Sequence, residues 1–294
     1  MFKLTHTRAV LLMIAVALMW SIAGVVTRQL EFARAFEVTF WRSLFTALSL
    51  LVILPLWRGP GVFAQMHWAS GSFWLSGVCW SVMFTAFMVA LTLTTVANVL
   101  ITMALGPLLT ALLSRVVIGH PLPARTWLAI GVAGVGIAYM FGSQLNLGQT
   151  GALAGCLVAL CVPIAGAVQW TVVQRGQTRG EQTDLVPCVL VGAVISTLVT
   201  VPLALPFAAT GTDVAWLALL GLVQLAIPCT LSVICARVLK APEISLLALL
   251  EVIFGIALAW LGANEVPGPT VLVGGALVLG ALLVNELLGW RARV

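Results

Sequence analysis

Apolar runs of about twenty residues, each stopped by a charge, a glycine or a proline, recur along nearly the whole of this chain. Such a run wound into a helix crosses the hydrocarbon of a bilayer, and it keeps every backbone N–H and C=O paired without water. Of the 294 residues, 62% are hydrophobic and 8% charged, where a soluble domain carries roughly a quarter charged residues. A surface so poor in charge cannot face water, so the expected class is an all-α integral membrane protein. The runs fall near 8–27, 38–56, 71–91, 97–117, 126–142, 151–174, 185–205, 214–236, 243–262 and 268–288, which predicts ten transmembrane helices joined by short loops.

So much membrane leaves no room for a nucleotide-binding domain, and no phosphate-cradling glycine loop of the Walker type is present. The 14 Lys and Arg residues against 9 acids are scattered singly and in pairs, which argues against nucleic acid as a partner and for topology signals. The six cysteines lie in apolar runs and form no CxxC pair. They read as small apolar filler, with neither a disulfide nor a metal site expected. The run from Ala9 to Val26 is too long for a signal-peptide core and lacks a small-residue cleavage site, so it reads as a retained helix.

Placing the N-terminus inside puts Lys3, Arg8, Arg58, Arg115, Arg125, Arg175, Arg179, Arg237, Lys240, Arg291 and Arg293 on the cytoplasmic face. Arg28 and Arg34 fall outside and Arg42 within the second span. That asymmetry predicts both termini in the cytoplasm. Trp41, Trp57, Trp68, Trp74, Trp127, Trp216, Trp260 and Trp290 stand near span ends, where an indole has one apolar and one wet side. Trp20, Trp80 and Trp170 stand deeper.

Five spans per half is an odd number, so two homologous halves must lie in opposite orientations, the inverted-repeat design of many secondary transporters. The fourth and ninth spans carry related features offset by about half the chain: Leu105-Gly106-Pro107 in one, Leu249-Leu250-Glu251 in the other. Gly131, Gly134 and Gly136 in span five answer to Gly274, Gly275 and Gly280 in span ten, small residues that let two backbones approach as a scaffold pair. The expected division is residues 1–147 and 148–294, one five-helix repeat each.

Leu18-Met19-Trp20-Ser21, Phe40-Trp41-Arg42, Gly106-Pro107, Leu249-Leu250-Glu251 and Gly262-x-x-Glu265 together resemble the EamA group of the drug/metabolite transporter superfamily over essentially the whole chain. Within it the chain looks like the bacterial YddG-type exporters of aromatic amino acids and methyl viologen. It departs from the family pattern at His120, where an acid is usual in the first repeat, and at Val252, where a proline often follows the glutamate. The resemblance implies a multi-pass protein of the bacterial inner membrane that exports amino acids and amphiphilic, methyl viologen-like cations by alternating access, with no cofactor.

The residues themselves suggest where a solute would sit. Glu251 is the carboxylate nearest the middle of a span, and at that depth an acid should face a cavity or a partner. It reads either as a contact for a substrate amine or proton site, or as a hydrogen-bonded acid that fixes helix packing. Arg42, near the outer end of span two, reads as snorkelling to the interface. Asn98, Thr102, Gly106, Thr110 and Ser114 repeat every four residues and so share one helix face; Asn98 and Thr102 are the favoured cavity residues among them. Ser76, Trp80, Phe84 and Met88 share a face of span three, and Trp20-Ser21 and Gln169-Trp170 add aromatics from two more helices. These rings read either as an aromatic wall, which holds planar solutes by stacking and cations by cation–π attraction, or as packing and lipid-facing aromatics. Gln224, in mid-span, needs a partner in hydrocarbon, and Ser245 lies a turn and a half before Glu251. Pro107, Pro163 and Pro228 each remove a backbone hydrogen bond near mid-membrane, which reads either as a carbonyl freed toward the cavity or as a static kink.

The expected cavity is therefore Trp20, Ser21, Trp80, Phe84, Asn98, Thr102, Pro163, Trp170, Gln224, Ser245 and Glu251. An uncoupled facilitator is the alternative, since Glu251 is the one evident proton site. An enzyme is not expected: the histidines (His6, His67, His120) sit near ends or loops, away from the central acid.

Overall fold

A computed structural model describes residues 4–33, 35–118, 123–146, 150–179, 184–239 and 241–291. The expectations on Lys3, Arg34, His120, Lys240 and Arg293, and the division at 147/148, fall outside these residues.

Every regular element among the described residues is helical. Helices α1 (His6–Thr27), α2 (Ala35–Arg58) and α3 (Gly71–Leu93) fill the first three expected ranges. The fourth holds two half-helices, α4 (Val96–Met103) and α5 (Gly106–Ile118), and the fifth and sixth hold α6 (Ala124–Asn146) and α7 (Thr150–Thr178). After α8 (Cys188–Ala204), the eighth range runs as α9 (Gly211–Leu219), a π-helical turn at Leu220–Ala226 and α10 (Ile227–Cys235). The ninth is again broken, into α11 (Ala241–Ala248) and α12 (Leu250–Ala263), before α13 (Pro269–Arg291). Six of these stretches are long and apolar enough to cross a membrane, and shorter apolar helices occupy the other four ranges. The chain is thus a multi-pass membrane protein by the length and composition of its helices.

Local chemistry sets the boundaries. Thr95 caps α4 by accepting from Asn98 N–H at 3.2 Å, and Thr210 and Asp213 form a capping box at α9. Span four breaks at Ala104-Leu105, just before Gly106-Pro107, whose missing N–H is harmless at a helix start. Span nine breaks at Leu249 with no comparable sequence mark.

Two apolar cores occupy opposite ends of the helices. One gathers Met13, Leu54, Phe73 and Leu239, from the start of α1 and α3, the end of α2 and the turn after α10. The other gathers Val38, Leu91, Val96 and Leu217, from the opposite ends. α6 packs on α13, as the glycines of spans five and ten lead one to expect. A Cβ on Gly136 would stand 2.8 Å from the Gly274 carbonyl oxygen, so the two backbones touch there. Most of the tryptophans divide as the sequence suggests, although Trp41 is half-buried among Phe40, Phe45 and Phe207, and the side chain of Trp290 lies outside the described residues. Trp57, Trp68, Trp74, Trp127, Trp216 and Trp260 are exposed, whereas Trp20, Trp80 and Trp170 are buried.

Candidate functional site

A cavity of ≈ 140 Å³ lies where the two cores meet, at the level of the breaks in spans four and nine. Its largest wall is aromatic. Trp80, Met83, Phe84 and Phe87 face it from α3, at the i, i+3, i+4, i+7 spacing of one helix face. Trp80 meets Phe84 with ring centroids 5.6 Å apart, and Trp170 of α7 edge-on at 6.1 Å and 89°. Edge-to-face contact between quadrupoles holds such rings without filling the space between them. Trp20 of α1 closes a further side, and Pro163 and Gly166 keep the α7 wall low.

Two charged side chains enter this apolar space. Arg42 of α2 is fully buried: its Nη1 donates to Gln224 Oε1 at 3.0 Å, and its Nη2 donates to the Phe84 carbonyl at 2.8 Å. Its guanidinium carbon also stands 5.7 Å from the Phe87 ring centroid. Glu251 lies opposite in kind, in the first turn of α12, where the free N–H groups of a helix start favour an anion. Among the described residues no ion pair joins the two. Ser245 and Thr110 complete the polar set, their hydroxyls 3.2 Å apart across α5 and α11.

Of the residues named from sequence, Trp20, Trp80, Phe84, Pro163, Trp170, Gln224, Ser245 and Glu251 line this cavity. Ser21, Asn98 and Thr102 do not, and each has a physical reason. Ser21 turns back to donate to the Leu18 carbonyl at 2.7 Å. Asn98 donates from Nδ2 to Thr94 Oγ1 at 2.9 Å, and Thr102 donates to the Asn98 carbonyl at 2.7 Å. The four-residue stripe assumed one continuous helix. The break after Met103 ends that register, so Gly106 and Thr110 reach the cavity while Asn98, Thr102 and Ser114 do not. Gln169 likewise lies outside the lining, although its neighbour Trp170 belongs to it. Ser76 and Met88 fall off the lining face of α3.

The larger correction is Arg42. Its fractional exposure is 0%, so it does not snorkel. Counting residues from a span end measures depth but not azimuth, and α2 turns this side chain inward. A signal was nevertheless present: a guanidinium and a lone mid-span amide, Gln224, each needed a partner in hydrocarbon, and each is the other's. At one end of the helices, Glu37 accepts from Ala208 and Ala209 N–H at 3.0 and 2.8 Å, and Asp213 accepts from Glu31 N–H at 3.1 Å. Those acids are occupied with backbone. Glu251 is not.

No curated protein matches the chain. A solved crystal structure aligns with 98% of this chain and 99% of its own length, with a TM-score of 0.70 at 20% identity. At that identity the likeness speaks for the fold alone. In sequence, the first half of the chain, residues 7–142, matches the EamA-like transporter family.

Proposed function

We propose that this chain is a secondary transporter that exports small amphiphilic metabolites, amino acids foremost, across the bacterial inner membrane. Ten spans form two inverted repeats, 1–147 and 148–294, with both termini in the cytoplasm. The observation that carries this reading is an aromatic cavity holding one guanidinium and one carboxylate between two broken helices. A zwitterion fits that arrangement: its carboxylate meets Arg42, its ammonium meets Glu251, and a planar side chain lies among Trp20, Trp80 and Trp170. A cation such as methyl viologen would use Glu251 and the ring faces alone.

The repeat has support beyond hydropathy. The breaks at Leu105 and Leu249 are 144 positions apart, close to half the chain. Helix contacts also exchange under the same offset. α1 packs on α12 as α7 packs on α4 and α5, α3 packs on α7 as α10 packs on α1, and α2·α8 and α6·α13 each exchange with themselves. Discontinuous helices with half-helix ends at a midplane site are a recurring transporter device.

Alternating access requires closure on each side. Outside, Arg28 Nε pairs with Glu265 Oε2 at 2.8 Å, and Glu265 Oε1 accepts from Val96 N–H at 2.6 Å. Inside, Asp184 joins both Arg58 and Arg237. The test is efflux of labelled L-phenylalanine from proteoliposomes containing the purified protein. Accumulated solute should leave faster than from protein-free vesicles, and a pH gradient should accelerate it if Glu251 carries a proton. Efflux equal to that of empty vesicles defeats the proposal, and gradient-independent efflux reduces the protein to a facilitator.

A further inference from the structure

Span eight contains a feature that neither membrane crossing nor cavity volume requires. Between α9 and α10 the chain makes a π-helical turn at Leu220–Ala226. Such a turn admits an extra residue at poorer hydrogen-bond geometry and recurs at functional sites.

The contacts of this turn gather around Arg42 and the stretch of α2 that follows it. Gly221 seats it on α2, where a Cβ would stand 2.7 Å from Phe45 Cβ and 2.8 Å from the Arg42 carbonyl oxygen. The Thr46 hydroxyl donates to the Gly221 carbonyl at 3.1 Å. Three residues on, Gln224 accepts from Arg42 Nη1 at 3.0 Å and donates to the Trp20 carbonyl at 3.4 Å. Gln224 is thereby held at both ends of its amide, and Arg42 is held by Gln224 and by the Phe84 carbonyl.

We propose that Gln224 is the positioning residue for Arg42, and that the π-helical turn delivers it there. This rests on the cavity being the substrate site. A guanidinium has five N–H donors and no acceptor. Tied through two of them, it keeps others uncommitted, and Arg42 Nε has no protein partner. A fixed fork with free donors suits a carboxylate. The amide also explains why the residue is Gln and not Glu. A neutral acceptor orients Arg42 and leaves its charge intact, whereas a carboxylate at 224 would neutralise the cation that a substrate carboxylate must find. Gln224 thus tunes selection of solutes that carry a carboxylate over their decarboxylated amines.

Proteoliposome transport of L-phenylalanine and of phenethylamine, by wild type, Gln224→Leu, Gln224→Glu and Gly221→Ala, tests the assignment. Gln224→Leu should raise KM for phenylalanine by about tenfold, the worth of one charge-assisted hydrogen bond, with little change in maximal rate. The shift for phenethylamine should be at least several-fold smaller. Gln224→Glu, nearly isosteric, should go further and reverse the preference toward the amine. Gly221→Ala, which does not touch the cavity, should reproduce the Leu pattern by lifting the turn off α2. Equal KM shifts for the two compounds, or a fall in maximal rate alone, would overturn the positioning role while leaving the transport reading standing. Wild-type vesicles that move neither compound would overturn both. Melting temperatures within a few degrees of wild type identify the folded variants to be compared.

Discussion

At the scale of single residues, the cavity depends on a few side chains with distinct duties. Glu251→Gln keeps the shape of the side chain and removes the charge. Efflux of a zwitterion should fall by about tenfold, consistent with losing one charge-assisted contact, while the detergent-solubilised protein elutes as a single folded peak. Normal efflux by a well-expressed mutant would make Glu251 a packing acid. Replacing Trp80 or Trp170 by Ala removes one member of the edge-to-face pair, an interaction worth about 0.5–1.5 kcal/mol beyond area. Competition assays should then show phenylalanine weakened several-fold more than alanine, and equal losses would assign the rings to packing. Glu251 and the three deep tryptophans could be read from the sequence because depth alone marks them as costly or useful in hydrocarbon. Arg42 could not: its depth permitted snorkelling, and the rotation of α2 that turns it inward is decided by packing against α8 and the π-helical turn.

Among elements, hydropathy sufficed to locate the helices but not their interruptions. Span four announces its break with Gly106-Pro107, whereas Leu249 sits in the unmarked run Leu246 to Leu250. Both halves of a broken span are equally apolar, so no periodicity changes at the joint, and the stripe through Asn98 and Thr102 looked continuous when it is not. Helix pairing leaves a clearer trace in glycine. On α6, a Cβ at Gly136 would meet the Gly274 carbonyl at 2.8 Å and Leu277 Cβ at 3.0 Å, while at Gly134 it meets nothing within 4 Å. Gly136→Ala should therefore destabilise by about 1–3 kcal/mol through overpacking. Gly134→Ala, two residues away, should be neutral or stabilising by up to about 1 kcal/mol through reduced chain entropy. Thermal unfolding in one detergent distinguishes them, and equal shifts would mean that α6 and α13 do not touch at this point.

For the whole molecule, the Arg28–Glu265 pair links the end of α1 to the loop after α12 and, through Val96, to α4. Partly exposed pairs of this sort are worth about 0–1 kcal/mol, which makes them suited to opening and closing in turn. Cys229 lines the cavity with 1% exposure and serves as a built-in reporter. In a Cys161→Ala background, Glu265→Gln should speed labelling of Cys229 by a membrane-impermeant maleimide added from outside by several-fold. Unchanged labelling would remove Arg28–Glu265 from the closure.

Among the described residues, no side chain of α6, α8 or α13 lines the cavity. Three of the ten helical stretches therefore lie outside the chemistry of the solute and inside the economics of expression. Natural or engineered variation there should change how much protein a cell accumulates, how long it survives extraction, and where a fluorophore or a binding partner for imaging can be attached. A laboratory seeking new cargo should randomise the aromatic wall and the Arg42–Gln224 pair. One seeking a sturdier sample should leave those alone and work on the other three helices.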